Sequence, residues 1–128
     1  MRLFPGEEEI YAGMPGWKLL AAEGRTIAVC PGSCERKERP LACRMFPLLP
    51  EPAEDGSVRA RTDLRARAVC PLSRQGLSGM DPAFTEAVRR AGEILMSSPG
   101  QAEELRHLAE EQRQSREIRR RWKGEEHV

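Results

Sequence analysis

The run Thr26-Ile27-Ala28-Val29-Cys30-Pro31-Gly32-Ser33-Cys34 leads from a β-branched, apolar stretch into a turn that carries two thiols. The first half has the composition of a strand. Pro31 and Gly32 end it, and glycine has the backbone freedom that lets one turn aim both sulfurs at one point. Upstream, residues 18–22 pair with 26–30 as a predicted β-hairpin around Glu23-Gly24-Arg25. The fold therefore begins as a hairpin that delivers Cys30 into a loop.

Two further cysteines follow, Cys43 and Cys70, so the spacing is C-x3-C, then x8, then x26. Four thiols match the need of tetrahedral zinc and equally that of one cubane iron–sulfur cluster. Thiolate suits these soft or borderline ions because its deprotonated sulfur is a strong, polarizable donor. Spacing alone leaves three readings open: a metal site of Cys30, Cys34, Cys43 and Cys70, reduced buried or redox cysteines, or disulfides. Arg36, Lys37, Arg39 and Arg44 crowd three of the cysteines. Guanidinium groups there offset the negative charge that several thiolates leave on a bound ion. An arginine-rich chain also places arginine everywhere. His107 and His127 are predicted to be solvated rather than ligands.

Around Cys43 the chain reads Arg39-Pro40-Leu41-Ala42-Cys43-Arg44-Met45-Phe46-Pro47. Together with Cys30-Pro31-Gly32-Ser33-Cys34 before it and Cys70-Pro71 after it, this resembles the YkgJ-type cysteine-cluster family, described as zinc- or iron-chelating proteins. The family core is Arg-Pro-x-x-Cys-Arg-x-aromatic-Pro, here Arg39, Pro40, Cys43, Arg44, Phe46 and Pro47. Leu3-Phe4-Pro5-Gly6-Glu7, Gly13-Met14-Pro15-Gly16-Trp17 and the segment after Asp81-Pro82 resemble one subgroup. The resemblance implies zinc or an iron–sulfur cluster as cofactor, with Arg39, Pro40, Arg44, Phe46 and Pro47 supporting the cysteine loop. Arg39 and Arg44 are expected to bind loop carbonyls or an acid such as Asp55 or Asp63. Family members carry a Cys-rich segment just ahead of where this chain begins. The resemblance thus implies a shortened member, or a start placed late, with an incomplete ligand set.

Elsewhere the signals are local. Residues 7–12 are expected to make a short helical turn between Pro5-Gly6 and Gly13. Pro40 opens a short helix over 41–46, which Pro47 and Pro50 stop. Leu48-Leu49 and residues 57–61 are expected to pair around Glu54-Asp55-Gly56, and 62–80 reads as irregular. Asp81 is a good N-cap with Pro82 at the first helical position. Phe84, Ala87, Val88, Ala91, Ile94 and Leu95 then recur at helical spacing. Ser98-Pro99-Gly100 breaks that helix and starts another, with an apolar stripe of Ala102, Leu105, Leu108 and Ala109. Beyond Ala109 only Ile118 and Trp122 are large and apolar, so the helix end is expected to project or fray. The expected class is α+β: an irregular Cys-rich domain over 1–97, with short β-hairpins and a short helix, and a C-terminal helical extension over 98–128 that completes a pair of helices.

Length and composition bound the function. With 128 residues, 5% aromatic and 32% charged, the core is thin for the length, the situation in which small domains use a metal or covalent staple. A net charge of +1 supplies no field for nucleic acid or an anionic membrane. No stretch approaches a membrane span, and residues 1–7 lack a signal-peptide apolar region, so a cytoplasmic location is the default. In that compartment paired cysteines are more often ligands or redox groups than structural disulfides. Binding is favoured over catalysis, since no phosphate loop or nucleophile–base pair is visible. Relatives among flagellin lysine N-methylases keep open a fragment of a cluster-dependent enzyme. A third reading is a protein-interaction module on the C-terminal helix, where Arg116, Arg119, Arg120, Arg121 and Lys123 surround Ile118 and Trp122.

Overall fold

The computed structural model describes residues 1–32, 35–68 and 70–126. The architecture is α+β, with two small antiparallel hairpins and four helices among the described residues. The chain divides into two compact units, Met1–Phe46 and Pro47–Val128. That boundary differs from the 97–98 division read from the sequence: both long helices belong with the second hairpin.

In the first unit, β1 (Lys18–Ala22) and β2 (Arg25–Val29) pair antiparallel from Lys18↔Val29 to Ala22↔Arg25. The two-residue turn has positive φ at both Glu23 (52°) and Gly24 (75°), the left-handed pair whose twist matches that of the strands. Arg25 is therefore a strand residue rather than part of the turn. Residues 1–3 lie along the other side of β2, with an Arg2–Ile27 bridge and Ala28 N donating to Met1 O at 2.8 Å. Leu3, Tyr11 and Ala28 are buried together, with Met14, Trp17 and Leu19 packed on them. Tyr11 comes from α1 (Glu7–Ala12), and its ring lies 4.6 Å from that of Trp17. The short α2 (Leu41–Met45) follows a single 3-10 turn at Arg36–Glu38.

The second unit is built on β3 (Leu48–Pro52) and β4 (Val58–Thr62), joined around the expected Glu54-Asp55-Gly56 turn. All five residues of β3 are buried, because both α3 (Pro82–Met96) and α4 (Pro99–Glu126) pack against that strand. Pro50 and Pro52 are tolerated because the sheet has only two strands, so β3 has an unpaired edge where a missing N–H costs no ladder bond. Residues read as irregular instead form two 3-10 segments, Leu64–Ala68 and Pro71–Gly79.

Helix α3 starts as expected, with the Asp81 side chain accepting from Ala83 N at 2.9 Å and Pro82 in the first turn. Val88 and Leu95 are buried and Phe84 and Ala91 half-buried, as the spacing predicts. Ile94 is 71% exposed and Ala87 is exposed, so the packing stripe is narrower than the run of apolar residues. Its centre is Gly92. A Cβ there would stand 2.5 Å from Pro50 Cβ and 2.6 Å from Val58 Cγ1, so the helix lies on the hairpin only because that position has no side chain.

Helix α4 buries Ala102, Leu105, Leu108 and Ala109. Past Ala109 it does not simply project, because the packed face continues in polar residues. Arg116 Nη1 donates to Glu51 Oε2 at 3.0 Å, and Arg113 Nη2 donates to the Pro52 carbonyl at 3.1 Å. Glu51 is 7% exposed and also faces Arg61 at 3.4 Å. Burial, and then the neighbouring Arg116, push the Arg61 guanidinium below its usual pKa. A second buried acid, Asp63, takes both Nε and Nη2 of Arg65 and the Gln112 amide, while Gln112 Oε1 accepts from Leu64 N. The bond to Asp63 holds the Arg65 guanidinium above its usual pKa.

Two substitutions test this packing by chemical denaturation. Leu95→Ala should cost about 2–4 kcal/mol, the loss expected of a buried leucine. Gly92→Ala raises helix propensity by about 1 kcal/mol yet should lower net stability by about 1–3 kcal/mol through overpacking. An unchanged or raised midpoint for Gly92→Ala would contradict the close helix–hairpin contact.

Candidate metal centre

Cys30 stands directly after β2, exposed at the start of the Pro31-Gly32 turn. Gly32 has a φ of 98°, the conformation for which glycine is suited. The loop is backed by Gly16, also left-handed at φ 84°, where an added Cβ would lie 3.0 Å from Pro31 Cβ. Cys43 is the third residue of α2 and is half-buried.

The position of α2 relative to this loop is set by α1. The Glu7 carboxylate accepts from Phe4 N at 2.7 Å with one oxygen and from Leu41 N at 3.0 Å with the other. Leu41 is the first residue of α2, whose Pro40 cap offers no side-chain bond, so Glu7 supplies that cap from a distant part of the chain. The Tyr11 hydroxyl donates to the Glu38 carbonyl at 2.7 Å and pins the preceding turn.

Together these contacts bring Cys30 and Cys43 to the wall of one cavity of about 460 Å³. Trp17, Phe46 and Met1 give it apolar walls, and Arg39 and Gly32 complete the lining. Among the described residues no carboxylate lines it. Two thiols are soft donors of the kind zinc or iron takes, and they are half of a tetrahedral set.

The other two sequence-predicted ligands stand differently. Cys34 lies outside the described residues. Cys70 belongs to the second unit, half-buried between the two 3-10 segments, with its N–H donating to Ala66 O at 2.7 Å. Among the described residues no group of three or more His, Cys, Asp or Glu side chains is gathered so as to hold a metal ion. His107 pairs with Glu111 at 2.9 Å on the outside of α4, and His127 lies outside the described residues.

The residues expected to support the loop divide by chemistry. Pro40 is fully buried and Phe46 and Pro47 are half-buried, so the apolar members of the core pack. Arg39 and Arg44 are exposed, and no hydrogen bond or ion pair ties either guanidinium to another described residue. The acids expected to receive them are occupied within their own unit: Asp55 takes the Ser57 N–H and hydroxyl, and Asp63 takes Arg65 and Gln112. A guanidinium on an exposed turn keeps its hydration more cheaply than it fixes a flexible side chain. The props are instead Glu7, Tyr11 and Gly16, which no cysteine spacing points to.

Comparison with protein-family models, with curated proteins and with solved structures finds no match.

Exposure orders the two thiols. Cys30 should be alkylated several-fold faster than Cys43 in the metal-free protein, read by peptide mass spectrometry. Glu7→Ala removes two amide acceptors at once. It should lower stability by about 1–3 kcal/mol and bring the Cys43 rate closer to that of Cys30. Equal rates in the unsubstituted protein would contradict the placement of Cys43 in α2.

Proposed function

We propose that this protein binds metal through cysteine thiolates, as zinc or as an iron–sulfur cluster. The observation that carries the reading is the convergence of Cys30 and Cys43 on one cavity, the first from the end of a hairpin and the second from a short helix. Residues this far apart in sequence share a wall because Glu7 and Tyr11 hold the second element in place. The sequence pattern adds Cys34 and Cys70 to the ligand set, and the resemblance to the YkgJ-type family supports the same chemistry. A cysteine-held ion also answers a physical need. The first unit buries few large side chains, and in a unit that small a metal contributes folding free energy.

A second reading, an interaction surface on α4, is favoured by Ile118 and Trp122, which are 56% and 64% exposed on the same helix. Four residues apart, they lie on one face. Among the described residues no helix is long and apolar enough to cross a membrane.

Metal analysis and a visible spectrum of anaerobically purified protein test the first reading. A brown sample with iron and sulfide indicates a cluster, and a colourless zinc-bearing one indicates a single ion. Cys30→Ser and Cys43→Ser should each lower metal content by at least half, while His107→Ala leaves it unchanged. Protein that takes up neither zinc nor a reconstituted cluster would sink the proposal.

A further inference from the structure

The hairpin of the first unit is covered along one edge and open along the other. Leu3 N donates to Thr26 O at 3.1 Å, and Ala28 N donates to Met1 O at 2.8 Å. Thr26 and Ala28 therefore turn their backbone groups away from β1, toward residues 1–3. Backbone groups alternate in direction along a strand, so Arg25, Ile27 and Val29 face β1, and their partners Ala22, Leu20 and Lys18 face back. Leu19 and Ala21 are left pointing out of the sheet. Among the described residues none donates to or accepts from the backbone of either. The edge has little of the protection that such strands carry: β1 holds no proline, and its burial pattern is exposed at every position but Leu19. Leu20, at its middle, is 56% exposed.

We infer that this edge pairs with the same edge of a second copy of the chain, antiparallel, about a two-fold axis through Leu20. In that register Leu19 of each copy stands opposite Ala21 of the other, and every open N–H and C=O of both edges finds a partner. Moving the axis to Leu19 sets Ala21 against Trp17, whose N–H already donates to Met14 O at 3.3 Å. Moving it to Ala21 sets Leu19 against Glu23, which lies in the turn at positive φ. With the axis at Leu20, the two Leu20 residues form a non-hydrogen-bonded pair, the closer of the two kinds, and their exposed side chains leave water together. Lys18 falls opposite Ala22 and beside Glu23, so it does not meet its own counterpart. Neither Lys18 nor Glu23 has an ion-pair partner among the described residues, and the pairing brings opposite charges together at each end. An edge this short buries less than a standard interface, so the dimer is weak and depends on concentration. The inference involves no metal and stands apart from the metal-binding reading.

Sedimentation of the full chain tests this from about 10 µM to about 1 mM, the range in which weak pairs form. Reducing buffer keeps the exposed Cys30 from crosslinking copies. The mass should rise toward that of two chains. From the low to the high end, deuterium exchange at the Leu19 and Ala21 amides should slow about fivefold or more. Ala21→Pro removes an outward N–H that the single chain does not use, and Leu20→Lys sets like charges on the axis. Each should keep the mass of one chain throughout, with unchanged metal content. Leu20→Lys alters only an exposed side chain, so it reads the interface even where Ala21→Pro disturbs the hairpin. Trp122→Ala should leave association as it is. A single-chain mass at every concentration would overturn the inference. Association that survives Leu20→Lys would do the same, and so would association lost with Trp122→Ala, which places the contact on α4. Slow exchange at Leu19 and Ala21 already at the lowest concentration would mean that another segment covers the edge, and would overturn it as well.

Discussion

A carboxylate taken out of water destabilises a fold unless donors converge on it, and the second unit depends on two that are so met. Asp63 is 1% exposed and receives a forked guanidinium, a backbone amide and a side-chain amide. Glu51 sits in a strand whose other residues are apolar or proline, and receives Arg116 from α4. The net value of such a buried pair against an apolar alternative is small, but losing one partner is costly. The consequence is directional. Leu105 and Leu108 would bury equally well with the helix slid along its axis, whereas Gln112, Arg113 and Arg116 reach their partners in one register only. Polar contacts choose the position of α4, and the apolar stripe supplies the driving force.

The first unit works by the same means with less core. Leu3, Tyr11 and Ala28 form one buried cluster in it, and Ala28 contributes little area. Glu7 takes the role that Asp63 has in the other unit. One carboxylate closes the turn at Phe4 and caps α2 at Leu41, so residues far apart in sequence depend on a single side chain. This matters for the thiols. Cys30 is placed by the strand, but Cys43 is placed by a five-residue helix too short to be stable alone. The distance between the two sulfurs is thus as well defined as the contacts of α1, and a metal held by both would reinforce those contacts in turn.

Much of the fold was legible because its signals are local. The β-branched run before Cys30, the Asp81-Pro82 helix start and the Pro99-Gly100 restart need no knowledge of the partner they pack on. What was not legible depends on pairs distant in sequence. In the sequence Arg116 is one of a cluster of basic residues and its partner Glu51 stands between two prolines, with no pattern to join them. Ile94 fits the helical period as well as Leu95 does, and only the narrow contact at Gly92 explains why one is exposed and the other buried. At the site, the cysteine spacing led to Cys30 and Cys43 directly. It suggested that neighbouring arginines held the loop, because charge density is visible in a sequence and hydrogen-bond geometry is not. Glu7 carries no such mark: in the sequence it is one of three consecutive acids.

The arginines near the thiols therefore call for a different physical account. A guanidinium that fixed the loop would need an acceptor with matching geometry, and Asp55 and Asp63 are engaged elsewhere. An exposed guanidinium on a cavity rim acts instead through its field, which falls off over about 8–10 Å at ordinary ionic strength. Arg39 stands in the same cavity wall as Cys30 and Cys43, so its field bears on the hollow without fixing the walls. Arg44, one turn along α2 from Pro40 and next to Cys43, carries an equal exposed charge. Two thiolates around a divalent ion would sum to neutrality, so binding there would leave uncancelled the charge of Arg39 and Arg44, whose side chains have no partner among the described residues.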